Sequence, residues 1–273
     1  MKNLSILQVA ALASTLLLTL GTLGTAKAQN PATAQNATKA TTAPKQIYEW
    51  KIYTLAKETD AARLDAFFSD ALIPAYARHG IDVGAFATAD AYPEFPAGAR
   101  YLFIAWPDME TYTRVSRSVR DDADFMRAAK SFFDASAPDP AYTNLETYLC
   151  EAFDGIPQLR RPDVKCELYE FRVYRSPNME ANERKIKMFE SGEVQIFDES
   201  GIRSVCFGRT LAGPRMPSLT YLTAYENRTT RADAWSKFGS HPEWRRMSRL
   251  PEYAHTATDN TSRLLTPMPY SKY

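Results

Sequence analysis

Two stretches of this chain repeat each other at a fixed spacing, and that repeat limits the fold more than any single motif. Tyr48-Glu-Trp-Lys-Ile-Tyr53 matches Tyr169-Glu-Phe-Arg-Val-Tyr174, 121 positions later. His79-Gly80-Ile81 matches Ser200-Gly201-Ile202 at the same offset, and Tyr101–Trp106 matches Tyr221–Tyr225 with a small gap. Three matches in one order and a nearly constant register imply a tandem duplication. The period is far longer than a solenoid repeat, so each copy is a domain.

The hydrophobic pattern predicts the same element order in both copies. Ile47–Thr54 alternates as a strand, with Tyr48, Trp50 and Ile52 on one face and Ile47, Lys51 and Tyr53 on the other. Asp60 opens a helix that presents Leu64, Phe67, Phe68, Ala71 and Leu72 on one side, with Pro74 kinking or shortening it. Gly80 suits the following turn. Strands follow at Asp82–Ala89 and Arg100–Ala105, then an interrupted helical region from Asp108 to about Ala135, then a strand at Tyr142–Phe153. The second copy reads as a strand at Glu167–Tyr174, a helix at Met179–Glu199, strands at Arg203–Thr210 and Leu219–Tyr225, a helical region, and a strand at Thr261–Thr266. The order is β-α-β-β-α-β twice. Such a unit covers one sheet face with helices and leaves the other, here aromatic, to be buried elsewhere. The two sheets are therefore expected to pack face to face.

Tyr221–Tyr253 carries the densest run of distinctive residues. A strand leads through a polar, Arg-containing turn into a helix with Trp235 and Phe238 on one face. Ser240-His-Pro-Glu243 follows with the spacing of a capping box, then Trp244 and Pro251-Glu-Tyr253. With the closing Pro269-Tyr270-Ser271, this run resembles the C-terminal signature of the NIPSNAP family. The resemblance implies a ferredoxin-like fold of the dimeric α+β barrel group, in which single-copy relatives bury the open face by dimerising. A tandem copy can do so within one chain. The expected fold is thus α+β, with two tandem ferredoxin-like units forming an intrachain pseudo-dimeric α+β barrel, over residues 46–155 (a divergent copy) and 165–273. The family's activity is poorly defined, so the resemblance assigns no catalytic residue, substrate or cofactor.

Ahead of the repeats, Lys2, an apolar run to Leu23 and Ala26-Lys27-Ala28 form a signal-peptide pattern over residues 1–28, implying a secreted or periplasmic protein without a membrane anchor after cleavage. Residues 29–45 are Gln, Asn, Pro, Ala, Thr and Lys, a composition that reads as a disordered linker. The 33 basic and 32 acidic side chains nearly cancel, which argues against a nucleic-acid surface. Cys150, Cys166 and Cys206 are an odd number with no Cys-x-x-Cys spacing. Cys150 and Cys166 could close the connector between copies as a disulfide, and Cys206 reads equally as a buried small hydrophobe.

No phosphate loop, serine elbow or His-x-x-x-His spacing occurs, so nucleotide, serine-hydrolase and metal chemistry lack support. His79 reads as a helix-end residue and His255 as a surface one. His241 lies between Trp235 and Trp244, and the matched place in the first copy holds Asp122-Ala-Asp-Phe125. Packing accounts for such residues as readily as a ligand does. A site would combine His241, Trp235, Trp244, Arg172, Tyr174 and Tyr169 in the second copy, binding a small molecule in the barrel or in a sheet–helix cleft. Arg172 needs Glu170, Glu167 or an anionic ligand as partner. The alternative is a non-catalytic scaffold or protein-interaction module with an exposed apolar patch.

Overall fold

The computed structural model describes residues 44–135 and 139–273; the signal pattern and most of the linker fall outside the described residues. The first half runs β1 (Ile47–Leu55), α1 (Ala61–Phe67), a five-residue π turn (Phe68–Leu72), α2 (Ile73–Ala77), β2 (Val83–Thr88), β3 (Ala99–Trp106), α3 (Met109–Arg120), α4 (Ala123–Ala128), α5 (Lys130–Asp134) and β4 (Tyr142–Ala152). The second runs β5 (Leu168–Arg175), α6 (Met179–Met188), a second π turn (Phe189–Glu193), α7 (Val194–Ser200), β6 (Arg203–Ala212), β7 (Ser218–Tyr225), α8 (Arg228–Ser240), α9 (Pro242–Met247) and β8 (Asp259–Pro267).

All eight strands close into one antiparallel barrel in the order β1-β3-β2-β8-β5-β7-β6-β4. Each half contributes four neighbouring strands, β4-β1-β3-β2 and β8-β5-β7-β6, so the order within the halves is the same. As expected, the aromatic faces of the two sheets pack against each other inside one barrel, and the sheet edges also pair. β4 pairs with β6 through Cys150–Ala152 against Gly208–Thr210, and β2 pairs with β8 through Phe86–Thr88 against Leu265–Pro267. An unpaired sheet edge exposes a row of backbone donors and acceptors, and closure removes both edges of each half. The aromatic faces then share one interior, where Tyr48, Trp50, Phe103, Tyr148 and Phe171 pack together. The opposite faces carry the helices, over separate cores for the first and second halves.

The helices that follow β1 and β5 share an irregularity that the periodicity does not reveal. Both contain a π turn, at Phe68–Leu72 and Phe189–Glu193, again 121 positions apart. In the first copy the wider turn precedes Pro74, whose missing N–H and bulky ring would otherwise break the helix. Pro74 thus sits within a continuing helix and neither stops it nor shortens it. Gly80 and Gly201 end the two helical regions with φ of 71° and 86°, a conformation that favours glycine.

Two local expectations need correction. Ser240 and Glu243 form no capping box: Ser240 Oγ donates to the carbonyls of Ser236 and Lys237, and Glu243 accepts from Arg246. α8 extends through Ser240, so that serine lies in its last turn, and the reciprocal cap lies at its start, between Asn227 and Thr230. The three cysteines are free and buried, so Cys150 and Cys166 do not bridge the connector.

The seam between β4 and β6 depends on Gly208, where an added Cβ would stand 2.7 Å from Cys150 Cβ and 3.5 Å from the Glu151 carbonyl oxygen. Gly208→Ala should cost about 1–3 kcal/mol through overpacking. Gly239→Ala, in α8 with nothing within 4 Å, should instead stabilise by about 0.4–1 kcal/mol. Urea unfolding of both variants checks the contrast; equal effects would contradict the seam geometry.

A charged sheet–helix cleft in the second half

β5 alternates strictly. Tyr169, Phe171 and Val173 point into the barrel, whereas Tyr174 joins the helix-side core. Glu170 and Arg172 share that outer side. The Glu170 carboxylate is wholly buried and accepts five hydrogen bonds. Arg172 Nη1, Arg231 Nη2 and Ser262 Oγ donate to Oε1 at 2.9, 2.9 and 2.5 Å. Arg231 Nε and Trp235 Nε1 donate to Oε2 at 2.8 and 3.0 Å. Burial alone would raise this carboxyl's pKa, but Arg231, Arg172 and Ser262 outweigh it and hold the group below the ordinary range. The carboxylate therefore ties α8 to the sheet and fixes the Trp235 indole. The first half holds Glu49 in the matching place, buried, with Lys51 Nζ at 2.7 Å and Trp106 Nε1 donating at 3.1 Å.

Beside Trp235 opens a cavity of about 260 Å3 between α6, the second π turn, α8, α9 and the segment before β8. Tyr174, Trp235 and Trp244 form its aromatic wall, and Lys185, Glu193 and His255 supply its charged or titratable groups. Lys185 Nζ lies 2.8 Å from Glu193 Oε2, with both side chains almost completely buried. The same ammonium sits 4.5 Å from the Phe189 ring centroid, 5.6 Å from Tyr174 and 5.8 Å from Trp244. Burial pushes the Glu193 carboxyl above its ordinary range, against the opposing pull of Lys185 and Arg172. A carboxyl so placed beside an open cavity can exchange a proton with a bound molecule. Tyr221 Oη donates to Tyr174 Oη at 2.8 Å, fixing the phenol on the cavity wall.

The structure brings together only part of the residue set read from the sequence. Trp235, Trp244 and Tyr174 line the cleft. Arg172 lies behind it, with its guanidinium 4.8 Å from the Trp235 ring centroid and its Nε buried without a partner. Tyr169 lies on the barrel side, 5.0 Å from the Phe86 ring, and borders a separate cavity at one barrel end. His241 caps the joint between α8 and α9, where its Nε2 lies 3.1 Å from Glu199 Oε2, and it does not line the cleft. His255 is exposed at the cleft mouth with φ of 56°. Sequence reasoning missed Lys185 and Glu193. The repeat held the signal: 121 positions earlier stand Leu64 and Leu72, both core residues. Among the described residues no group of three or more His, Cys, Asp or Glu is placed to hold a metal ion.

The Glu170 cluster has a sign that can be measured. Its folded pKa is depressed, so its contribution to stability is complete above the unfolded value of about 4.3 and is lost as pH falls through the lower folded value. Glu170→Gln leaves the half-buried Arg172 and Arg231 without a counter-charge and should cost about 3 kcal/mol at neutral pH. The variant's stability should then vary less with pH than the wild type's below about pH 4. Denaturant unfolding across pH 3–7 checks both, and parallel curves for the two proteins would contradict the assignment.

Residues 169–272 match the NIPSNAP family model. No curated protein matches the chain in sequence. Solved structures resemble it in fold. A candidate monooxygenase from Fusobacterium nucleatum superposes with a TM-score of 0.55 at 9% identity, covering 82% of this chain and 93% of that one. A candidate monooxygenase from Lactobacillus acidophilus gives 0.54 at 12% identity, covering 82% and 94%. An anthrone oxidase-like protein also gives 0.54 at 12% identity, covering 82% and 92%. At these identities the likeness concerns the barrel and its helices. Residues 169–272 of this chain are a NIPSNAP domain.

Proposed function

We propose that the cleft of the second half binds a small aromatic molecule that carries an acidic hydroxyl. The observation that carries this reading is the Lys185–Glu193 pair. A buried ion pair is seldom the best way to stabilise a core, because desolvation offsets much of its attraction. The first half has the same frame, the same π turn and Leu64 and Leu72 instead. Packing alone therefore does not require the charges. Tyr174, Trp235 and Trp244 offer stacking surfaces, and the volume suits one or two fused rings. Lys185 can face a phenolate or enolate oxygen, and Glu193 can hold the proton. The anthrone oxidase-like neighbour supports a ligand of this kind.

We take residues 46–155 and 165–273 as two ferredoxin-like units, which the shared strand order supports, and the working unit as a monomer whose barrel closes within the chain. Export after cleavage near Ala28 belongs to the same reading; a mature chain beginning close to Gln29 is the corresponding mass.

2-Naphthol is a suitable probe. It should quench indole emission saturably, and a Trp235→Phe/Trp244→Phe variant should lose that response, since Trp50 and Trp106 lie fully buried elsewhere. Replacing Lys185 and Glu193 together by leucine copies the first half. That variant should keep or raise its melting temperature while binding the probe at least about tenfold more weakly. Wild-type affinity in the double variant would remove the basis for the site and favour the scaffold reading.

A further inference from the structure

A further cavity, of about 760 Å3, lies at the barrel end opposite the Tyr169 cavity and shares no residue with it or with the cleft. Its floor is aromatic: Phe171 stands between Tyr101 and Tyr148, with edge-on ring centroids at 5.8 and 6.1 Å. All three side chains are almost wholly buried, and Trp50 backs Phe171 at 4.3 Å. The loops β2–β3 and β6–β7, one from each half, contribute to the rim through Glu94 and Arg215. Gly213 makes room for one wall, since a Cβ there would meet Tyr148 Cδ1 at 2.8 Å.

The charges at this mouth do not cancel. Arg263 pairs with Glu94, and Arg215 pairs with Asp259. Glu146 also lines the cavity, across β1 from the Ile52 position, and its one hydrogen-bond partner is the Asn144 amide at 3.4 Å. Among the described residues no basic side chain lies within ion-pair distance of it. One uncompensated carboxylate over three aromatic rings is a donor set for a cation. The aromatic floor is an apolar surface for the body of such a ligand, and the carboxylate accepts from an ammonium. An anion would meet Glu146 and would have to displace an internal acid to reach either arginine.

We propose that this end of the barrel binds an organic monocation, a compact ammonium group on an apolar body, with the charge at Glu146 and the body against Phe171. The site joins strands of both halves, so it exists only because the barrel closes within the chain. It also stands independently of the cleft, and either can fail without the other.

Calorimetric titration of the full chain with phenethylammonium, using 2-phenylethanol as the uncharged counterpart, tests it. The ammonium should bind at least about tenfold more tightly than the alcohol. Glu146→Gln should abolish that preference and Glu146→Lys should reverse it. Glu146 is only half-buried, so both variants should fold, and an unchanged melting temperature confirms that they do. The Lys185→Leu/Glu193→Leu variant should bind the ammonium like the wild type. Absence of binding, equal affinity for the two probes, a preference that survives Glu146→Gln, or loss of binding in the cleft variant would each overturn the proposal.

Discussion

Backbone hydrogen bonding along two seams decides what the rest of this molecule can be. A four-stranded antiparallel sheet has two open edges, and in each half β2 or β6 forms one and β4 or β8 the other. Pairing β4 with β6 and β2 with β8 satisfies all four at once. The β2–β8 seam is the shorter, and bonds from Ala89 N to the Leu264 carbonyl and from Met268 N to the Ala85 carbonyl extend it. Once the seams close, the inward faces have a single shared volume to fill. The aromatic rings of β1, β3, β4 and β5 fill its middle, and cavities are left at its ends.

Closure also permits the two halves to diverge. Each half keeps a helix-side core of its own, so a change in one need not be matched in the other. The buried glutamate of the first strand is common to both, as Glu49 and Glu170, and in each case an indole N–H and a basic residue two positions on satisfy it. The second half adds Arg231 and Ser262 to that carboxylate and exchanges two core leucines for Lys185 and Glu193. One half thus retains an apolar core where the other holds a charged cleft. The arrangement confines the buried charge to one half while the other supplies a wall of the barrel.

Much of this was legible in the residues. Alternation along Tyr48–Tyr53 separated Tyr48, Trp50 and Ile52 from Ile47, Lys51 and Tyr53, and the two sets do lie in different cores. The cost of burying an unmatched guanidinium called for a partner to Arg172, with Glu170, Glu167 and an anionic ligand left open, and Glu170 is the one found. Other features escaped for physical reasons. A π turn shifts the helical phase by a fraction of a turn, too little to show in a hydrophobic pattern, so Pro74 read as a kink or an early end. Edge pairing between distant strands leaves no local mark, so which strands form the two seams could not be read from the residues. His241 drew attention through its neighbours in sequence, yet its ring reaches Glu199 from the turn between α8 and α9 and does not line the cleft. The charged pair that does line the cleft lay inside a helix described only by its apolar residues; comparing the copies position by position would have exposed it.

Native-state amide hydrogen exchange tests most directly whether the two halves form one barrel. The amides of Ala89 and Met268 bond across the β2–β8 seam, and that of Phe153 bonds to the Phe207 carbonyl across the β4–β6 seam. If closure within the chain is what holds both sheets, the most protected seam amides should exchange only through global unfolding, with the same free energy as the central strands β1 and β5. Seam amides that exchange through a lower-energy opening, while β1 and β5 stay protected, would show that the halves part as separate units, and would contradict the account.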